Sequence, residues 1–228
     1  ICVFDGQGSS MNRKNINPEY KAQRVNKRIS NWDMFDNKED EFASMTMQMH
    51  RLVEYLQCLP TTLISMDKVE ADDIISFLAQ GFGSKGHRVT IVSSDKDFLQ
   101  VVDDNVEVYS PIKKKIYKKR DVAEELGMIP ENYLIVKSLL GDNSDNLTGV
   151  KGLGIKTILK EFPGIINDPN FKLESIFSIC EEKLKTKKIF ARIVHEWDKV
   201  ETNYELMNLL EPRLSDQEIL YILNKIKQ

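Results

Sequence analysis

The chain has 228 residues, 41% of them hydrophobic and 29% charged, with a formal net charge of −3. That is enough apolar material for one large domain, or for a domain with a helical appendage. No apolar run approaches a membrane span and the opening residues lack a signal-peptide pattern, so a membrane role is excluded and a cytoplasmic setting is expected. Cys2, Cys58 and Cys180 are odd in number, widely spaced and without a CxxC, which excludes a disulfide framework and structural zinc and implies reduced, partly buried thiols.

"ICVFDGQGSS" reads as a strand running into an Asp-Gly turn, with Asp5 at the strand's end. Residues 10–44 are polar, rich in Arg, Lys and Asn and short of apolar periodicity, and are expected to form a mobile or ligand-ordered segment. Helical spacing runs from Met45 to Leu56, "PTTLIS" reads as a short strand, and "MDKVEADDIISFLAQ" as an acid-led helix. "HRVTIVSS" has the apolar run of a buried parallel strand, and "NVEVYSP" and "KKKIY" read as more exposed strands separated by a basic patch. Strands alternating with helices predict a parallel α/β sheet. Beyond Arg120 the pattern turns helical, in "DVAEELG", "PENYLIVKSLLG", "IKTILKEF" and a group from about Leu173 to Ile226 that reads as packing support. The predicted division is an α/β core over 1–120, with residues 10–44 as its mobile segment, and a helical region over 121–228.

Carboxylates recur where strands end. If Glu70 lies just ahead of its helix and Asp72 inside the first turn, both point at one spot beyond the helix end. Asp73 belongs to the same cluster, Asp95 and Asp97 follow the clearest strand, and Asp5 follows the first. In open parallel sheets the carboxyl ends of strands border the ligand crevice. Any one pair is readily explained as a turn or helix cap; agreement among three strand ends favours a shared site. "GDNSDN" adds Asp142 and Asp145. Like charges so gathered repel unless a cation lies among them, and oxygen-only ligands select Mg²⁺ or Mn²⁺ over zinc. Two ions roughly 4 Å apart would suit phosphodiester hydrolysis. The eight carboxylates account for −8 of the net −3, which leaves +5 for the rest of the chain, a sign compatible with a nucleic-acid partner.

"GVKGLGIKT" is one residue away from a nucleotide-binding P-loop, because Ile155 intrudes between Gly154 and Lys156-Thr157. The favoured alternative is a helix-hairpin-helix element over about 138–162. There Gly149, Gly152 and Gly154 let backbone amides, together with Thr157, approach a duplex phosphate while Lys151 and Lys156 supply charge.

With "VFDG", "YKAQR", "VEADD", "SSDKDF" and "GDNSDNLTGVKGLGIKT" occurring in that order over residues 1–165, the chain resembles the 5′ nuclease, or flap endonuclease, family, its phage replication members above all. The resemblance implies an α/β fold with a helical arch over the site, a helix-three-turn-helix that grips duplex DNA, and removal of RNA primers or 5′ flaps in replication; for a phage protein the setting would be the host cytoplasm. It implies Asp5 and Glu70 as ligands of a first metal, Asp72 between the two, Asp95, Asp97 and Asp145 around the second, and Asp73 and Asp142 acting through water. Lys21 and Arg24 would approach the scissile phosphate, and the loop at Gly149–Gly154 can hold K⁺. The implied partners are branched or nicked duplexes, 5′ flaps, RNA/DNA primers and other replication proteins. Family members begin with an earlier strand bearing another metal-ligand Asp, and this sequence starts after that point. The alternative is therefore a catalytically impaired DNA-binding protein of the same fold.

Overall fold

The computed structural model describes residues 1–24 and 33–227. Strand β1 (Cys2–Asp5) lies parallel to β2 (Leu63–Met66), with Asp5 opposite Met66. Strand β3 (Val89–Val92) lies parallel to β4 (Val106–Ser110), and β5 (Lys115–Tyr117) folds back antiparallel on β4. Among the described residues these strands form separate sheets rather than the one continuous parallel sheet the alternation suggested. Helix α3 (Ala71–Gly83) joins them, packing against β1, β3 and β4.

The acid-led helix starts where its composition places it. Glu70 is the extended residue before the first turn, and Asp72 and Asp73 lie inside that turn, where carboxylates complement the helix dipole. Ile74, Leu78 and Ala79 recur on one buried face, each large side chain contributing about 1.5–3 kcal/mol by leaving water. At the far end Gly83 lets the helix close on β4, since a Cβ there would stand 2.8 Å from Val106 Cγ2.

Residues 10–44 divide into parts of different character. Helix α1 (Met11–Ile16) and the turn after it are anchored: Tyr20 is 3% exposed and packs with Leu134, Leu147, Leu206 and Met207. The expected mobility therefore does not apply to residues 11–24, whose few apolar side chains are spent on one deep anchor instead of a periodic stripe. Residues 25–32, the middle of the predicted arch segment, lie outside the described residues. Helix α2 (Lys38–Gln57) begins earlier than its apolar spacing indicated, with Asn37 as its cap, and buries no residue: Phe42, Met45, Met49 and Leu52 are all exposed.

The helical half is α4 (Lys119–Leu126), α5 (Tyr133–Leu140), α6 (Ile155–Glu161), α7 (Gly164–Asn167), α8 (Leu173–Glu182), α9 (Lys188–His195), α10 (Trp197–Met207) and α11 (Asp216–Lys227). Between α5 and α6 come two short paired strands, β6 (Gly141–Asp142) and β7 (Leu147–Thr148), which no sequence pattern announced. One apolar cluster, from Ala79 to Leu209, spans the composition boundary at Asp121. Of β3 and β4, β4 is the more buried, with Val106, Val108 and Ser110 inside, whereas Val92 of β3 is exposed. This is the reverse of what the apolar runs suggested, because among the described residues β4 is paired on both sides and β3 on one. Of the basic patch, Lys113 and Lys115 pair with Glu125. Cys2, Cys58 and Cys180 are free, and Cys58 is exposed rather than partly buried. Among the described residues no helix is long and apolar enough to cross a membrane.

Helix α5 is buried along nearly its whole length, and α10 lies across it. Asn203 of α10, 2% exposed, donates through Nδ2 to the carbonyls of Ser138 and Thr148, each at 3.0 Å. Replacing Asn203 by Leu removes both bonds and strands the buried Ser138 carbonyl, and is expected to cost about 2 kcal/mol of stability in urea unfolding; an unchanged midpoint would show that the pair of bonds does not hold α5 to α10.

Candidate active site

Seven of the eight predicted carboxylates, Asp5, Glu70, Asp72, Asp95, Asp97, Asp142 and Asp145, line one cleft with Lys21 and Arg24. The ends of β1 and β3, the start of α3 and the Asp142–Asp145 turn converge there. Three of the carboxylates are oriented by nearby amides. Asp5 Oδ1 accepts the Ala71 amide at 2.8 Å and so caps α3. Asp95 Oδ1 accepts the Asp97 amide at 2.9 Å, opening the 3-10 turn after β3. Asp142 Oδ1 accepts the Ser144 amide at 2.8 Å and its hydroxyl at 2.7 Å.

Four basic side chains reach into this negative field. Arg13, 3% exposed, donates to Glu70 at 2.5 Å and to Asp73 at 2.6 and 3.0 Å, and through Nε to the Leu206 carbonyl at 2.8 Å. Burial opposes its charge, but the bonds to Asp73 and the nearby Glu70 outweigh this and keep it firmly protonated. Lys21 reaches Glu70 at 2.6 Å and Arg24 reaches Asp145 at 2.5 Å. Lys137, from the buried middle of α5, lies between Asp97 and Asp142, 2.8 Å from the latter. Burial lowers the affinity of Lys137 for its proton, and the two carboxylates more than reverse that. Burial also pushes Asp142 up, yet the bonds from Lys137 and Ser144 hold it down at about 2.

Arg13 and Lys137 are functional neighbours that the sequence reading did not single out. Lys137 carried a signal, a lone charge inside "YLIVKSLL", since a lysine buried at that depth requires anionic partners. Arg13 carried none, sitting in an ordinary polar run. Asp73 is the predicted ligand that is not brought to the cleft. It is 2% exposed, engaged on both oxygens by Arg13, and accepts the Arg213 amide at 3.1 Å. Position 73 is one residue on from Asp72, about 100° further around the helix, so it faces the interior.

Asp72 differs from the rest. It makes no hydrogen bond or ion pair among the described residues, and burial, then the charges of Asp95, Glu70 and Asp5, push it up to about 7 despite the opposing pull of Lys21. Asp97 is likewise raised, by burial first and by Asp95 and Asp142, against the pull of Lys137. Among the described residues no three side chains stand ready to hold a metal ion as they are, because the basic groups occupy much of the ligand capacity. The chemistry nevertheless fits a hard divalent cation: the donors are all carboxylates, and the repulsion among them is felt at Asp72, whose proton affinity is raised by burial and by Asp95, Glu70 and Asp5.

The glycine loop lies apart from this cluster. Gly149 fits against the end of α5, where a Cβ would stand 2.0 Å from the Leu140 carbonyl, and Gly152 has a φ of +76°. Lys151, Gly152, Gly154 and Lys156 are exposed and Thr157 is half-buried. The Gly149 carbonyl accepts from Lys199 at 3.5 Å and the Lys151 carbonyl from Arg192. Two loop carbonyls are thus already faced by the chain's own cations, and the loop as it stands does not fit a K⁺ ion on those oxygens.

Residues 1–127 match the profile of the 5′-3′ exonuclease N-terminal resolvase-like domain. A 5′-3′ exonuclease of Aquifex aeolicus is 30% identical over 237 residues, covering 100% of this chain and 72% of that protein. One from Buchnera aphidicola of Schizaphis graminum is 35% identical over 192 residues, covering 83% of this chain and 61% of the relative. In fold, the bacteriophage T5 D15 protein crystallised with metal ions superposes with a TM-score of 0.75 at 21% identity, over 99% of this chain and 82% of that one. The chain belongs to the 5′-3′ exonuclease family.

A carboxyl whose folded value is raised favours folding most when protonated: for Asp72 that contribution is full below about 4, its value in an unfolded chain, and is lost as pH rises through about 7. In EDTA, Asp72→Asn is therefore expected to raise the melting temperature at pH 8 by a few degrees, at roughly 2–4 °C per kcal/mol for a chain of this size, and to change it little at pH 4. Equal shifts at both pH values would contradict the uncompensated charge.

Proposed function

We propose that this chain is a divalent-metal-dependent, structure-specific 5′ nuclease, an exonuclease and flap endonuclease that hydrolyses phosphodiesters of DNA or RNA/DNA and removes primers or flaps in replication. The observation that carries this reading is the meeting of seven carboxylates in one cleft, with Asp72 raised by burial and its acidic neighbours beyond what Lys21 offsets. The family membership and the T5 fold support it.

Asp5, Glu70 and Asp72 would hold one Mg²⁺ or Mn²⁺, and Asp72, Asp95, Asp97 and Asp145 a second, with Asp142 acting through water. Bound there, the ions would supply Lewis-acid activation of water and charge stabilisation at the phosphate. The chain's own residues do the rest. Lys21 and Arg24, now paired with Glu70 and Asp145, would exchange those partners for the scissile phosphate as the cations take the carboxylates, and so orient it and offset its charge. Lys137 would keep Asp97 and Asp142 ionised and aimed into the cleft. The loop between α5 and α6 would grip duplex DNA: among the described residues the amides of Gly152 and Gly154 have no backbone acceptor, and Lys151 and Lys156 flank them. Such a grip positions the duplex without reading its sequence.

Cleavage of a 5′-flapped duplex in Mg²⁺, abolished by EDTA, is the test; binding without cleavage in either Mg²⁺ or Mn²⁺ would instead identify the non-catalytic alternative. Asp97→Asn is expected to slow cleavage about 100-fold or more, while duplex affinity in Ca²⁺ stays within about twofold because the DNA grip is elsewhere. Removing Lys151 and Lys156 together is expected to weaken binding equally for unrelated duplexes and to lower the salt slope by roughly 0.9 per lost phosphate contact; an unchanged slope would move the duplex grip off this loop.

A further inference from the structure

A second cleft opens beside the carboxylate cleft. It shares Asp5, Lys21, Arg24 and Glu70 with it and adds Ser9, Ser10, Lys14 and Ala22, enclosing ≈ 300 Å³. The added residues contribute one positive charge, two hydroxyls and no acid, so the side chains lining this cleft, Lys14, Lys21 and Arg24 against Asp5 and Glu70, carry a formal surplus of +1, where the carboxylate cleft is strongly negative. Glu70 adds little negative charge on this side, since Arg13 and Lys21 already engage both its oxygens. Among the described residues the Ser9 and Ser10 hydroxyls and the Lys14 ammonium make no side-chain hydrogen bond or ion pair, although all three border the same space.

These groups stand on a fixed turn. The Ser9 amide donates to the Gly6 carbonyl at 3.2 Å, and the Met11 amide to that of Gly8 at 2.9 Å. Gly6 is pressed onto β2 so closely that a Cβ would stand 1.7 Å from the Met66 carbonyl oxygen. One helical turn on, Asn12 Nδ2 donates to the Lys68 carbonyl at 3.2 Å. Unpartnered donors held on rigid backbone are preorganised for an anion, and polydentate contact from an ammonium and hydroxyls suits a phosphodiester oxygen pair.

We propose that Ser9, Ser10 and Lys14 form a seat for a second backbone phosphate, the one next to the scissile phosphate on its 5′ side, in the strand being released. The inference rests on the nuclease reading above. The side is set by position: the Asp142–Asp145 turn, which leads to the glycine loop and the duplex, borders the carboxylate cleft and not this one. The seat positions the strand so that Lys21 and Arg24 meet the scissile phosphate. Lys14, Ser9 and Ser10 are positioning residues.

The test uses the whole chain and two flap substrates that differ only in one linkage, an ordinary phosphodiester or an uncharged methylphosphonate at the position 5′ to the cleaved bond. For the wild type, single-turnover cleavage at saturating DNA is expected to fall roughly tenfold with the neutral linkage, as for loss of one charge-assisted contact. Lys14→Ala, an exposed substitution that leaves the core untouched, is expected to slow cleavage of the ordinary substrate by a similar factor and to show little further loss with the methylphosphonate. Lys14→Arg should restore most of the rate and the sensitivity. A wild type indifferent to the methylphosphonate, or a Lys14→Ala protein that suffers the full wild-type penalty, would overturn the seat while leaving the nuclease reading intact. A wild type that cuts neither substrate would overturn both.

Discussion

Mutual repulsion among carboxylates is the constraint around which this molecule is arranged. Seven of them face one cleft, and the fold manages their charge in two ways. Arg13, Lys21, Arg24 and Lys137 each engage one or two carboxylates directly, and Asp72 absorbs what is left by holding its proton up to about 7. The two pairs of cations differ in depth. Arg13 and Lys137 are buried, whereas Lys21 and Arg24 stand at the opening, with Arg24 half-exposed. A buried cation that loses its anion is costly, so the deep pair is structural, while the outer pair can change partners where another cation takes over the buried Glu70 and Asp145.

The scaffold places its parts to serve that constraint. Arg13 ties α1 to α3 through Glu70 and Asp73 and to the end of α10 through the Leu206 carbonyl. Gln100, after β3, makes a matching link by donating to the Met207 carbonyl and accepting the Leu209 amide. The end of α10 is therefore a common anchor for the first and third carboxylate-bearing segments. The same helix holds α5 through Asn203, and with it the turn that carries Asp142 and Asp145. The C-terminal helices support the site in this specific sense, as the lack of chemical groups in them suggested.

Much of the site was legible in the sequence because its logic is local. An acid placed after a strand or ahead of a helix points the same way wherever it occurs, so Asp5, Glu70, Asp72, Asp95 and Asp97 could be gathered by position alone. Asp73 shows the limit of that logic: the same composition one residue further around the helix faces the interior and meets a buried arginine. Arg13 and Tyr20 were illegible because their role depends on contacts with residues 50 to 193 positions away, which no window of sequence contains. Sheet continuity was likewise not readable. Each of β1 to β5 has three to five residues, enough to fix direction by alternation with helices, yet too short to declare its second neighbour. Helix α2 was legible as a helix, while its lack of buried residues depends on what surrounds it.

If relief of carboxylate repulsion by cations is what the cleft is built for, the direct measurement is a count of bound Mn²⁺ by electron paramagnetic resonance, in the presence of a flapped duplex. Two tightly held ions per chain, lost together on addition of EDTA, are the predicted result for a pair of adjoining carboxylate sites. Binding no stronger than that of a scattered acidic surface, with no stoichiometric plateau, would contradict it.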